Sequence, residues 1–416
     1  MLNIFAEIIN IGDELLAGHT VNGNAAWMSR ALHSLGIAVS GHRVIPDRKA
    51  DIVTALDGIR EETRYVFVTG GLGPTGDDRT KAVITAYFGG KLVFRPELYA
   101  RIEAYFRARG REPSPSNREQ AEQPDNAALL PNSRGTASGM LFRRDGVSYY
   151  VLPGVPDEMK SIMQEHILPQ LAKVMGGREH ELQINTFGKP ESELSDAILA
   201  RFPRIEEEIA LGFYPSLRGI TLRLRGEDRK KLQDYQEGIL DLLGDNAYAV
   251  TGESLAKHVV DLCRERGITL ATAESCTGGL ISDMITDIPG ASDIFRQGYV
   301  VYSNAAKTAV LGVDPELINA HGAVSEACVK AMLQGLREVS GCDIGVAVSG
   351  IAGPSGGSPE KPVGTVWIAV GYRENVHTRR LLFDRGRRNN KEFSANLALN
   401  EVRLMLKARN AGNSKL

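Results

Sequence analysis

Short apolar runs recur along the chain, and the most telling of them open onto glycine-rich or hydroxyl-bearing turns. Phe5–Ile11 reads as a strand. Asn24–Leu35 carries apolar residues at helical spacing and stops at Gly36, a residue well suited to end a helix. Tyr65–Thr69 and Tyr149–Leu152 are short apolar runs, as buried parallel strands are. They lead into Gly70-Gly71-Leu72-Gly73 and Pro153-Gly154-Val155-Pro156. Between them, Arg109–Asn132 is polar and proline-bearing and reads as an irregular excursion near a site.

The pattern then changes. Gly176-Gly177-Arg178-Glu179 reads as a linker. After it come Glu181–Gly188, a helical Glu191–Arg201, the strands Ile209–Phe213 and Gly219–Arg225, and a second helix, Arg229–Leu243. This βαββα order predicts a small α+β module over about 176–250. Arg223 and Arg225 share one face of their strand by alternation, as a solvated sheet face does. From 251 onward the α/β pattern returns. Ser254–Arg266 is amphipathic and ends at Gly267. Ile268–Ala273, Gly298–Tyr302, Asp343–Val348 and Thr365–Val370 read as strands, and Asn390–Lys407 as a last helix. The fold class is therefore α/β, in domains of 1–172, 176–250 and 251–416. That agrees with the about two to four domains expected for a chain of this length.

Composition narrows the setting. Apolar residues make up 43% of 416, enough for well-packed cores, and the net charge of −2 implies no general attraction to nucleic acid. No run reaches the roughly 18 apolar residues of a membrane helix. The start reads as a strand and not as a secretory signal. Cys263, Cys276, Cys328 and Cys342 lack CxxC spacing and read as reduced thiols. A cytoplasmic protein without membrane contact is expected.

Two regions carry chemistry. In the first, Gly70-Gly71-Leu72-Gly73 lets backbone N–H groups approach an anion, and Thr75, Asp77 and Asp78 follow. Two carboxylates repel a phosphate but can hold a divalent cation that bridges to it. One aspartate could equally cap a helix. Asp13 and Glu14, after the first strand, are candidate bases and also plausible loop residues. In the second region, Ser275 follows a strand and precedes Cys276-Thr277-Gly278-Gly279, resembling a nucleophile elbow without GxSxG spacing. The following helix would offer N–H donors to an oxyanion or phosphate. A serine needs a base. Histidines fall in no evident motif, whereas Lys307, in Tyr302-Ser303-Asn304-Ala305-Ala306-Lys307, could act as one when desolvated. Ser275 and Thr277 could also serve simply as caps.

These motifs, taken in order, resemble the CinA (competence/damage-inducible protein A) family. The resemblance rests on Ile9–Gly18 with Asn22 and Asn24, Thr69–Thr80, Asn117–Ala121, Gly135–Ala137 and Leu152–Met159. It continues through Ala273–Gly279, Tyr302–Lys307, His321–Ser325, Ser349–Pro354 and Lys361–Trp367. It implies a molybdopterin-binding-like N-terminal domain, a KH-like middle module and a C-terminal CinA deamidase domain. The implied N-terminal activity is divalent-metal-dependent (Mg²⁺ or similar) hydrolysis of ADP-ribose to AMP and ribose 5-phosphate. Asp77 and Asp78 would sit at the metal, with Gly71, Gly73, Thr75 and Gly154 near the pyrophosphate. The implied C-terminal activity is deamidation of nicotinamide mononucleotide (NMN) to nicotinate mononucleotide and ammonia, without a cofactor. Ser275 would be the nucleophile, Lys307 and Tyr302 would move protons, and Thr277, Gly278, Ser349, Gly350 and Gly353 would line the site. An arginine of Arg385–Arg388 would bind phosphate. Where relatives read Gly-Asp-Arg, this chain reads Asp384-Arg385-Gly386-Arg387-Arg388, and Arg387 is the choice. A homodimer is implied. The middle module has no GXXG loop, so nucleic acid is not an expected partner. Three other readings stay open: one active domain beside one that only binds, a non-enzymatic competence or DNA-repair adaptor, and a molybdopterin-binding role for the N-terminal domain.

Overall fold

The computed structural model describes residues 4–73, 80–175, 180–250 and 253–408. The chain forms two compact units, 1–180 and 181–416. In the first, β1 (Ile4–Ile11), β2 (Ile37–Ile45) and β3 (Thr63–Thr69) run parallel to one another in a six-stranded sheet. The pair β4 (Leu92–Phe94) and β5 (Glu122–Pro124) stands apart as a two-stranded sheet. The main sheet is completed by β6 (Ala128–Leu130), β7 (Gly139–Arg144) and β8 (Val147–Leu152), in the order β2-β1-β3-β8-β7-β6.

β1 has β2 on one side and β3 on the other, so the chain reverses its winding direction there. Such a switch point opens a crevice beyond the carboxyl ends of the strands. The sheet is covered on both faces, which explains the apolar run Tyr65–Val68 of β3 and the mostly apolar β1, whose Glu7 and Asn10 are buried polar exceptions. One face packs Met28 and Leu32 of the helix Gly23–His33, and the other packs Ile52 and Leu56 of the helix Lys49–Asp57. The expected excursion over 109–132 is only partly irregular: it holds a 3₁₀ segment, Pro115–Ala121, and the strands β5 and β6.

The second unit contains two sheets. β9 (His180–Thr186), β10 (Ala210–Ser216), β11 (Gly219–Gly226) and β12 (Ala247–Ala249) are ordered β10-β11-β9-β12. With the helices Glu191–Arg201 and Arg229–Leu243 they give the expected βαββα order plus a closing strand. Arg223 and Arg225 do share a face, where both approach Glu181, at 3.7 and 4.0 Å.

The larger sheet is β14 (Phe295–Val300), β13 (Leu270–Glu274), β15 (Ile344–Gly350), β16 (Thr365–Tyr372) and β17 (Asn375–Leu382), in that spatial order. β13 runs parallel to both neighbours, and β16 and β17 are antiparallel additions. β13 is again a switch point. Leu270 and Val346 face the helices Leu255–Arg266 and Arg387–Lys407, while Ala271, Ala273 and Ala347 face the helix Glu326–Ser340. β14 ends at Val300, short of the expected Tyr302, and the last helix begins at Arg387, three residues before the expected Asn390. Among the described residues no helix is long and apolar enough to cross a membrane.

Candidate functional sites at the two switch points

The crevice of the first unit is a cavity of about 840 Å³. It is lined by the end of β1, the Gly70–Gly73 turn after β3 and the Gly154 turn after β8. A Cβ on Gly70 would stand 2.1 Å from the Ile11 carbonyl oxygen, and one on Gly71 would stand 2.0 Å from Thr80 Oγ1. These glycines let neighbouring segments close on one another, which in turn fixes the turn beside the cavity.

A chain of amides holds the crevice. Asn10 Nδ2 donates to Thr69 Oγ1 at 2.6 Å, and Asn22 Nδ2 donates to Asn10 Oδ1 at 3.0 Å. Asn22 Oδ1 in turn accepts from Ala25 N at 3.1 Å and caps the helix Gly23–His33. Asn24 Nδ2 donates to the Gly154 carbonyl at 2.7 Å.

Of the residues expected here, the structure brings Gly71, Gly73 and Gly154 to the cavity, together with Asp13 and Glu14. Thr75, Asp77 and Asp78 lie outside the described residues. Sequence reasoning missed Asp47, Trp27, Arg30 and Lys160, which also line the crevice. Asp47 could have been found: it follows the strand beside β1 and so reaches the same sheet edge.

At the second switch point the arrangement is made of side chains. Ser275 follows β13 directly, and its N–H donates to the Val348 carbonyl at 2.9 Å. Lys307 sits on the helix Asn304–Leu311, started by Ser303, whose side chain accepts from Ala306 N. Lys307 is 1% exposed, and its Nζ lies 3.0 Å from Ser275 Oγ and 3.1 Å from the Val301 carbonyl oxygen. Burial pushes the lysine below its ordinary range, opposed by smaller interactions with Cys328, Cys276 and Tyr302. Its hydrogen bonds go to a hydroxyl and a carbonyl, and among the described residues no carboxylate is bonded to it to offset the cost of burying its charge. Cys276, beside the serine, is buried, and its thiol is pushed up to about 12 by that burial. It stays a thiol and does not compete as nucleophile.

Glu274 corrects one expectation. The helix after Ser275 was expected to offer its N-terminal amides to a ligand. It runs only from Leu280 to Thr286, and Glu274, fully buried, occupies that end. Its Oε2 accepts from Ile281 N at 3.0 Å, and its Oε1 accepts from Ser282 N at 2.8 Å and Ser282 Oγ at 2.7 Å. A carboxylate inside the protein satisfies amides that would otherwise be orphaned.

The other expected residues divide. Thr277 is fully buried, and its hydroxyl has no hydrogen-bond partner among the described residues. Ser349 Oγ donates to the Ala323 carbonyl at 2.6 Å. A Cβ on Gly350 would meet Val366 Cγ2 at 2.6 Å and Cys276 Sγ at 3.0 Å, so strand packing accounts for that glycine. Arg387 opens its helix; Nη1 donates to the Gly353 carbonyl at 2.9 Å and Nη2 to Tyr302 Oη at 2.8 Å. Tyr302 is therefore tied to Arg387, and no hydrogen bond joins it to Ser275 or Lys307 in the described residues. Arg385 instead lies over the Phe383 ring, 5.4 Å from its centroid. Gly278 has φ 63° and sits beside Lys391.

Residues 252–406 match the family profile described as "CinA C-terminal domain", and residues 7–173 match "Probable molybdopterin binding domain". The CinA-like protein of Salinibacter ruber is 38% identical over 408 residues, which cover 96% of this chain and 99% of the relative. The chain belongs to the CinA family. The CinA-like protein of Chlorobaculum tepidum is 39% identical over 417 residues, covering 97% of this chain and 99% of that one. Among solved structures, the competence/damage inducible protein CihA of Agrobacterium tumefaciens is 40% identical. It covers 36% of this chain and 93% of its own, with a TM-score of 0.36. The CinA profile spans every residue of the Ser275–Lys307–Arg387 arrangement, and the molybdopterin-binding profile spans the N-terminal crevice.

Proposed function

We propose that the second unit of this CinA protein is a serine–lysine amidohydrolase acting on NMN. The observation that carries this reading is the 3.0 Å contact between Ser275 Oγ and the buried Lys307 Nζ at a sheet switch point. A serine nucleophile needs a base within hydrogen-bond reach, and desolvation loosens the hold of Lys307 on its proton, which favours the amine form that role requires. In that form one N–H keeps its bond to the Val301 carbonyl, and the lone pair accepts the Ser275 proton.

The reaction then proceeds in two halves. Ser275 Oγ attacks the carboxamide carbon as its proton passes to Lys307. The ammonium of Lys307 returns that proton to the departing nitrogen, which leaves as ammonia. Water, deprotonated by the same amine, attacks the acyl-enzyme; nicotinate mononucleotide leaves and Ser275 Oγ recovers its proton. The unpartnered Thr277 hydroxyl supports a polar contact to substrate. Arg387, anchored by Gly353 and Tyr302, would meet the ribose phosphate. The test is ammonia release from NMN by the full chain. Ser275→Ala should lower it by at least about 10³-fold, the scale of losing a catalytic nucleophile. Near-normal release would refute the assignment.

For the first unit the supporting observation is a crevice large enough for a dinucleotide-sized diphosphate, with a glycine turn, cations and carboxylates on its walls. The reading is hydrolysis of ADP-ribose to AMP and ribose 5-phosphate. Asp13, Glu14 and Asp47 offer the hard oxygen donors that Mg²⁺ favours. Among the described residues, however, no three carboxylate, histidine or cysteine side chains gather closely enough to enclose an ion. Metal binding there would depend on Asp77 and Asp78 as further donors. When bound, such an ion would neutralise phosphate charge and activate water. The residues of the chain would seat the pyrophosphate on the Gly70–Gly73 and Gly154 turns and hold its charge with Arg30 and Lys160.

A further inference from the structure

A second cavity in the 181–416 unit, of about 590 Å³, belongs to neither site described above. It lies between the first turn of the helix Glu326–Ser340 and the β16–β17 hairpin. Thr365, at the start of β16, lines it, is 1% exposed, and its Oγ1 has no hydrogen-bond partner among the described residues. A buried hydroxyl left unpaired costs stability and calls for an explanation.

The surroundings say what would pair with it. Lys330, Lys361 and Arg380 line the same space. Lys361 Nζ spends one donor on the His321 carbonyl, at 2.7 Å, and an ammonium has three. Of the two carboxylates on the wall, Glu326 pairs with Lys330 at 2.6 Å and accepts from Thr378 Oγ1 at 2.9 Å, while Glu360 accepts from Ser358 Oγ at 2.9 Å and keeps its charge, so Lys361 and Arg380 face one remaining carboxylate. Ser325 caps the helix of fifteen residues whose positive end opens here. Trp367, two residues beyond Thr365 on the same face of β16, adds a half-buried aromatic surface. Cations, a helix N-terminus and an unpaired hydroxyl fit an anion; the indole fits a flat ring attached to it.

We infer that this cavity binds a nucleoside monophosphate, with the phosphate among Thr365, Lys361 and Arg380 and the base against Trp367. The site is separate from the Ser275–Lys307 pair but shares a wall with it: Ala323, whose carbonyl holds Ser349 Oγ, lies two residues before Ser325. The inference does not depend on the deamidase reading.

The chain has two tryptophans, Trp27 and Trp367. Trp27→Phe in the full chain leaves Trp367 as the only indole reporter. Titrating this variant with AMP at fixed ionic strength should give a saturable change in Trp367 emission, competed by inorganic phosphate. Thr365→Val and Lys361→Ala should each weaken it by about tenfold, the scale of a lost hydrogen bond to an ion. Thr365→Ser, which keeps the hydroxyl, should restore it. The proposal is overturned by no saturable change, by a change that neither substitution weakens, or by adenosine binding as tightly as AMP.

Discussion

The two switch-point sites of this protein are built on opposite plans. The N-terminal crevice is wide, and backbone turns, amide side chains and scattered charges shape it. The C-terminal site is a tight contact between two buried side chains, Ser275 and Lys307. A diphosphate carries its charge over many oxygens and is best met by a broad surface of N–H groups and cations. The amide hydrolysis proposed for the other site needs one oriented nucleophile and one base beside it, whose proton affinity burial lowers. The same sheet topology thus supplies location in both cases, while burial decides which chemistry each location supports.

The largest expected effect separates the two halves outright. Lys307→Met, tested beside Ser275→Ala, should lower ammonia release by about 10²–10⁴-fold, the weight of general-base catalysis. AMP release from ADP-ribose should be unchanged. In the unmodified chain, the rate should rise with pH through the depressed pKa of Lys307, because only the neutral amine accepts the serine proton. A flat profile between pH 5 and the ordinary lysine range, with chemistry rate-limiting, would break the assignment of Lys307 as base.

The reciprocal experiment lies in the other half. Asp47→Asn should lower AMP release by about 10–100-fold, the loss typical of a residue supporting a metal site, and should spare ammonia release. Parallel loss of both activities would mean that the substitution disturbs more than its own crevice.

Glu274→Gln probes the support of the C-terminal site. An amide nitrogen would face Ile281 N or Ser282 N, donor against donor. The expected cost is about 1–3 kcal/mol, visible as a lower melting temperature, with ammonia release falling less than in Lys307→Met.

The smallest effect is on stability and follows from the same buried lysine. Its folded pKa is lowered, so above that value the native state has shed a proton that the unfolded chain still holds. Stability of the unmodified protein therefore rises with pH until the ordinary lysine range is reached. Lys307→Met should be the more stable by about 0.5–2 kcal/mol at neutral pH, as substitutions relieving a strained active site often are. The gap should narrow as pH rises. A gap that widens with pH would contradict a depressed lysine. The inactive variant would then be the sturdier one, a stability–activity trade-off confined to the C-terminal half.

Much of this was legible in the chain itself. Period-two and period-3.6 patterns, with glycines and caps as punctuation, located the helix Glu191–Arg201 to the residue and β1, β3 and β8 within two residues. They did so because each element buries a face whose spacing is local. Motif residues placed at strand ends identified Ser275, Lys307 and the Gly70–Gly73 turn as candidates. The hydrogen-bond partners were not legible. Glu274 reads like any acidic residue until the fold turns it back beneath Ile281 and Ser282. Tyr302 sits five residues before Lys307, yet its hydroxyl meets Arg387 from the far end of the domain. Asp47, Trp27 and Lys160 share no motif and meet only because β1, β2 and β8 belong to one sheet.

The sequence by itself determined the alternation of strands and helices and the residue types available at each strand end, since those depend on near neighbours. Only the tertiary structure decided which of them meet. It set Lys307 against Ser275 and buried it away from water, which lowers its hold on a proton. It gave Glu274 the helix end expected for a ligand. Long-range packing makes those choices, because burial and pairing are properties of what surrounds a side chain in space.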